Sequence, residues 1–397
     1  MRVLDNPMLR NIALLATCQA LSMTCLSMMM TIAAIVGTSL APDPSLGTLP
    51  LALQFVAVML TTLPASLLMK HYGRQFGFVV GACAGIAGGL VSAHAVMTAD
   101  FVLLCAGGML VGAFSGFSMY YRFAAVDTAG VEYRSRAISW VLAGGVVAAV
   151  AGPEIAKHTR DLLAPVLFAG SYLAVAAIAA LSLVFIAALR IPKPSSGESH
   201  EQGRPLGELL RQPKLLLAVA SGMVGYGAMN LIMVSTPMSM LDCGHSFEIA
   251  ATVIQAHVLG MYLPSFVTGD LIKRFGIYRI LVAGGVLVMA CVAVNVDGVT
   301  SAHFGIALVL LGLGWNFLYI GGSTLLTETY RTAEKAKVQA LNEFSVFGTT
   351  AVTALSSAAI TASLGWAAVN LVTLLPLVLV VCGALLLFQR SRRPQPA

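Results

Sequence analysis

Long apolar runs, each closed off by charges or turn residues, recur along the whole chain. Twelve can be read, over about 11–37, 49–69, 76–98, 101–121, 137–156, 164–189, 215–240, 247–271, 279–296, 302–325, 339–362 and 366–388. About 20 apolar residues cross a bilayer as a helix, so the expected fold is an all-α membrane protein with twelve transmembrane helices. Composition agrees: mean hydropathy is +0.87 and 10% of residues are charged, where a soluble domain carries roughly a quarter. Gly and Pro inside the runs are tolerated because neighbouring helices re-satisfy the backbone. The first run exceeds a signal-peptide core and is expected to stay as a span. The seven cysteines are scattered with no CxxC, which argues against a disulfide framework or a zinc ribbon.

Charge gives orientation. With both termini placed in the cytoplasm, all but two of the 23 Lys and Arg fall on the inner side, the exceptions being Lys157 and Arg160. The net charge of +6 then reports topology, not nucleic-acid binding. The longest polar segment, 190–214, has a linker composition with Pro192, Pro194, Ser195, Ser196 and Gly197. It separates two six-helix bundles, 1–189 and 215–397, which echo each other as pseudo-repeats. Leu63-Pro64 is followed by Lys70-His71-Tyr72-Gly73, and Leu263-Pro264 by Lys273-Arg274-Phe275-Gly276. Glu132-Tyr133-Arg134-Ser135-Arg136 has its counterpart in Glu334-Lys335-Ala336-Lys337. Internal repeats are the architecture of many secondary transporters.

Twelve spans, a central loop and a basic Gly turn after spans two and eight resemble the major facilitator superfamily over the whole chain. That family's loop reads Gly-x-x-x-Asp-Arg-x-Gly-Arg. Gly73, Arg74, Gly269, Arg274 and Gly276 fit, while Lys70 and Lys273 stand where Asp would be. The departure leaves the fold intact and takes the family's Asp away from the inner gate. Gly152-Pro153 is similar to the start of the antiporter motif, but Glu154-Ile155 follows it, and antiport is not inferred.

Two residue pairs then suggest a cargo. Met229 and Met233 lie at i and i+4 in span seven, His257 and Met261 at the same spacing in span eight, so each pair shares a helix face. Only the polar turn 241–246 separates the two runs. At 1.5 Å per residue, Met229 and His257 come out near one level, around the midplane of a core about 30 Å thick. Thioether and imidazole suit Cu(I), whereas hard cations want oxygen ligands. Met238, Met240, Cys243 and His245 crowd the outer turn, where they would capture copper and pass it to Met233.

The two pairs resemble those of the CcoA-like copper importers, a bacterial branch of the superfamily. The resemblance implies a copper importer of the bacterial inner membrane that supplies cytochrome oxidase assembly. It implies Met229, Met233, His257 and Met261 as the metal path. Copper is then the transported substrate and no cofactor is called for. The expected partners are the copper ion, the lipid bilayer and a cytoplasmic copper chaperone or exporter, with the chain acting as a monomer. Relatives in that branch are assigned to riboflavin, which keeps a second cargo open: a planar organic solute. Trp315, Phe317 and Tyr319 on span ten, with Tyr226 and Tyr262, would stack on a ring, and Asn230 and Asn316 would orient it. An enzyme is not expected, since no nucleophile–base pairing, phosphate loop or cofactor motif is present.

Overall fold

A computed structural model describes residues 6–43, 46–191 and 203–392. All regular elements among them are helical. In chain order they are α1 (Pro7–Leu40), α2 (Leu49–Tyr72), α3 (Arg74–Thr98), α4 (Phe101–Ser118), α5 (Tyr121–Asp127), α6 (Arg134–Thr159) and α7 (Ala169–Ala187). There follow α8 (Leu206–Leu209), α9 (Pro213–Asp242), α10 (Phe247–Tyr262), α11 (Ser265–Phe275), α12 (Ile277–Asp297), α13 (Ser301–Leu326), α14 (Lys335–Leu371) and α15 (Leu374–Arg392).

Local chemistry sets the ends. The Asn6 side chain caps α1 by accepting from the Met8 and Leu9 amides, with Pro7 at the first helical position, where a missing N–H costs nothing. Asp100 caps α4 through the Leu103 amide. The two basic turns noticed in the sequence both close on a left-handed glycine, Gly73 at φ 92° after α2 and Gly276 at φ 86° after α11, a conformation that penalises any Cβ.

Ten described helices are long and apolar enough to cross a membrane, or up to eleven if a bent pair counts as one span. That pair is span eight of the sequence reading, where Ile249–Tyr262 and Ser265–Phe275 meet at 43°. The run expected over 339–362 lies within α14, some of whose side chains are not described. Of the expected linker, residues 192–202 lie outside the described residues.

The chain divides into two compact units. One comprises Met1–Val131, Trp140–Glu201 and Gln339–Phe344; the other comprises Glu132–Ser139, Gln202–Val338 and Ser345–Ala397. In the first, α3 packs against α4 and α7, α2 against α4, and α1 against α7. Its interior holds charge that the sequence assigns to the inner loops. Arg122 is 2% exposed and its Nη2 lies 2.5 Å from Oε1 of Glu343, itself 0% exposed. Asn342 donates to the same carboxylate oxygen at 2.7 Å, and Arg122 sits 4.4 Å from the Phe123 ring centroid. Arg74 is buried too, donating to Asp127 and to Gln339.

In the second unit α13 is central, packed against α9, α10 and α12, with α15 on α12. Arg136 pairs with Asp270, and Ser135 donates to the Gly269 carbonyl at 3.0 Å. The linker's far end is fastened here. Arg204 donates from Nε and Nη2 to the two oxygens of Glu334 at 2.7 Å each, and its amide to Oε1 at 2.9 Å. Lys337 donates to the Gly203 carbonyl. The hydrogen bond from Arg204 holds the Glu334 carboxyl down to about 2, and the same contact raises Arg204.

Candidate functional site

Helix α13 starts on a Thr300 cap and carries no Asp, Glu, Lys or Arg along its length. Its middle turn presents Trp315 and Tyr319, four residues apart and so on one face, with their rings stacked at 5.1 Å and 24°. Tyr226 of α9 meets both edge-on, at 5.1 Å from Trp315 and 4.8 Å from Tyr319. Tyr262, the last residue of α10, stands edge-on to Trp315 at 5.5 Å, and Phe347 of α14 lies 5.5 Å from Tyr226. Offset and edge-to-face pairs of this kind contribute about 0.5–1.5 kcal/mol each beyond area burial. Four helices thus converge on one aromatic cluster. Trp315, Tyr319, Tyr262 and Phe347 are buried, and Tyr226 is half-buried. The Trp315 indole N–H is fully buried with no hydrogen-bond partner among the described residues.

Of the residues named beforehand as an organic-solute cavity, Tyr262, Trp315 and Tyr319 come together in this cluster. The two asparagines are engaged elsewhere. Asn230 donates to the Thr350 carbonyl at 3.1 Å and to Thr353 at 3.3 Å, tying α9 to α14. Asn316 donates to the Met261 carbonyl at 2.7 Å and to the Ser265 hydroxyl at 2.6 Å, and it accepts from Thr268 at 2.6 Å. It clamps both sides of the break between α10 and α11. Phe347 was not foreseen; a Phe in an apolar run carries no mark of what it will face.

The two helices that carry the soft-ligand pairs, α9 and α10, touch each other and both lie on α13. A Cβ on Gly312 would come within 2.6 Å of the His257 carbonyl, so glycine there is what lets α10 and α13 approach. The His257 ring is turned to α13 and its Nδ1 bonds the Leu308 carbonyl at 2.8 Å, while Nε2 is buried with no described partner. Met229 and Met261 are buried and Met233 is half-buried. At the outer turn, Met238 is 61% exposed, Met240 is fully buried, Cys243 is exposed, and His245 Nε2 is bonded to the Val299 carbonyl.

Comparison with known proteins supplies the rest. A family model described as Major Facilitator Superfamily matches residues 14–300. The chain is 39% identical over 363 residues to the Riboflavin transporter RfnT of Brucella anthropi, covering 91% of each chain. It is 29% identical over 325 residues to the Uncharacterized MFS-type transporter YdeG of Bacillus subtilis, covering 78% of this chain and 76% of that one. Among solved structures, the E. coli fucose:proton symporter FucP superposes with a TM-score of 0.79 at 16% identity, over 98% of this chain and 100% of that one. A likeness at that identity speaks for the fold alone.

The copper reading is overturned by these findings. A relative this similar over nine-tenths of both chains is a riboflavin transporter, which matches the planar-solute alternative instead. Helical spacing fixes which residues share a face and says nothing of what that face binds, which is how the two pairs suggested a metal. With copper no longer the cargo, Met229, Met233, His257 and Met261 are not proposed as a copper path, nor Met238, Met240, Cys243 and His245 as a copper-capturing turn.

Proposed function

The chain belongs to the Major Facilitator Superfamily, and from that premise we propose that it is a transporter of a planar, ring-bearing organic solute of the riboflavin class. The observation that carries this reading is the 39% identity, over 91% of each chain, to a riboflavin transporter. Independent support comes from the aromatic cluster of Tyr226, Tyr262, Trp315, Tyr319 and Phe347, whose stacked and edge-on rings are the partners a flat ring system needs. On this reading Tyr262, Trp315 and Tyr319 hold the ring. Asn230 and Asn316 shape the site from behind by fixing the helices that carry it.

The chain works as a monomer in the bacterial inner membrane by alternating access, with both termini in the cytoplasm and without a bound cofactor. The Lys and Arg bias supports that orientation. A riboflavin-auxotrophic bacterium lacking its own uptake system and expressing this chain is expected to grow on riboflavin at concentrations too low for the parent strain. Uptake of labelled riboflavin no higher than in the empty-vector strain, with the protein present in the membrane, would sink the assignment.

A further inference from the structure

Resting on the riboflavin-class reading, we propose that Trp315 is the residue that selects the cargo. Its indole N–H donates to an in-plane acceptor of a neutral heteroaromatic ring, and the cluster around it rejects the phosphate esters of the same ring. Two observations meet here. The first is the orphaned donor. Trp315 is 0% exposed, its ring is held by Tyr319, Tyr226 and Tyr262, and its Nε1 has no partner among the described residues. A buried donor left unpaired is costly, so a site that keeps one gains when a ligand acceptor arrives. The indole N–H lies in the plane of its own ring, so the acceptor it takes is a ring carbonyl or ring nitrogen of a heterocycle that meets the edge of Trp315 while stacking on a neighbouring ring of the cluster.

The second observation is the lack of fixed charge along the stretches of α9, α10 and α13 that build the cluster. Helix α13 has none, α9 has none between Lys214 and Asp242, and α10 has none from Ile249 to Tyr262. Tyr226 is 12 residues from Lys214, about 18 Å along a helix. On α14 the charge nearest to Phe347 is Glu343, an acid already paired with Arg122. A phosphate dianion brought among these rings would leave water and meet no cation from α9, α10 or α13 over these stretches, and uncompensated charge inside a membrane protein is strongly disfavoured. A neutral ring meets no such cost.

The test uses the full-length chain in lipid nanodiscs and follows ligand fluorescence with riboflavin, with lumichrome (the ring without the ribityl chain) and with riboflavin 5′-phosphate. The wild type is expected to bind riboflavin and lumichrome at least a hundredfold more tightly than the phosphate. Trp315→Phe, which keeps the stacking face and loses the donor, is expected to weaken riboflavin and lumichrome alike by about tenfold. Trp140→Phe, at a 44% exposed ring, serves as the control and is expected to change nothing. Should Trp315→Phe fail to fold, the 15N-indole signal of Trp315 in the wild type decides, moving downfield when lumichrome binds. A Trp315→Phe affinity within twofold of wild type overturns the proposal, as does an unmoved indole signal or a phosphate ester that competes as well as riboflavin. Riboflavin neither bound nor carried while lumichrome still binds through Trp315 would refute the cargo reading and leave the selection rule standing. Normal riboflavin uptake that ignores Trp315 would do the reverse.

Discussion

Leu63-Pro64 and Leu263-Pro264 occupy equivalent places in the two halves of the chain, yet α2 runs unbroken through the first while span eight bends by 43° at the second. Proline deletes the same helical donor in both. The difference lies in what the neighbouring helix offers. Around Pro64 the Tyr120 hydroxyl donates to the Thr62 carbonyl at 2.7 Å and is also hydrogen-bonded to the Ser66 side chain beyond the proline. Around Pro264 one amide, Asn316, reaches Met261 on one side of the break and Ser265 and Thr268 on the other. Proline permits a bend and does not impose one; at Pro264 the spanning group is an amide that engages three partners across the break, where at Pro64 it is one hydroxyl. The second echo diverges in the same way. Glu132 and Glu334 each lie in a short 3-10 turn, but Glu132 is 91% exposed and 3.9 Å from Lys273, while Glu334 is fully buried on Arg204.

Substitution at each echo measures how deep this divergence goes. Asn316→Leu is expected to have the largest effect, because it strands polar groups on both sides of the break. A loss of about 2 kcal/mol is expected from three interhelical hydrogen bonds. It is read as the thermal midpoint of the detergent-solubilised protein, together with failed transport. Glu334→Gln should come next, lowering the midpoint by several degrees and exposing the linker to protease near Arg204. The carboxyl's lowered pKa gives the sign of the pH dependence. Its contribution is present above the ordinary carboxylate range and is lost as pH falls through about 2, so linker cleavage in the wild type should not vary across the neutral range. Tyr120→Phe removes the hydroxyl that meets Thr62 and Ser66 and is expected to cost about 1 kcal/mol, with α2 left unbroken. Glu132→Gln should change neither stability nor cleavage measurably, as for most exposed pairs. A Glu132 effect equal to that of Glu334 would erase the second contrast.

The all-helical membrane fold was legible because each span is written locally, as an apolar run closed off by charge or a turn. The aromatic residues of span ten were legible as candidates for the same reason. What could not be read is partnership across the sequence. Arg122 looks like one more inner-loop cation, but it is spent on Glu343, 221 positions away. Nothing in the sequence around His257 says that its Nδ1 will meet the Leu308 carbonyl, 51 positions away. Nothing near Phe347 marks it as the neighbour of Tyr226. In each case the residue types are visible and the face they meet is set by packing.

Trp315 and Asn316 are consecutive, so their side chains leave the helix about 100° apart, one toward the ring cluster and the other toward the bend in span eight. A single rigid turn therefore serves as a crank. Any roll of that turn that re-aims the indole must also pull on the hinge, and straightening the hinge must in turn swing the indole.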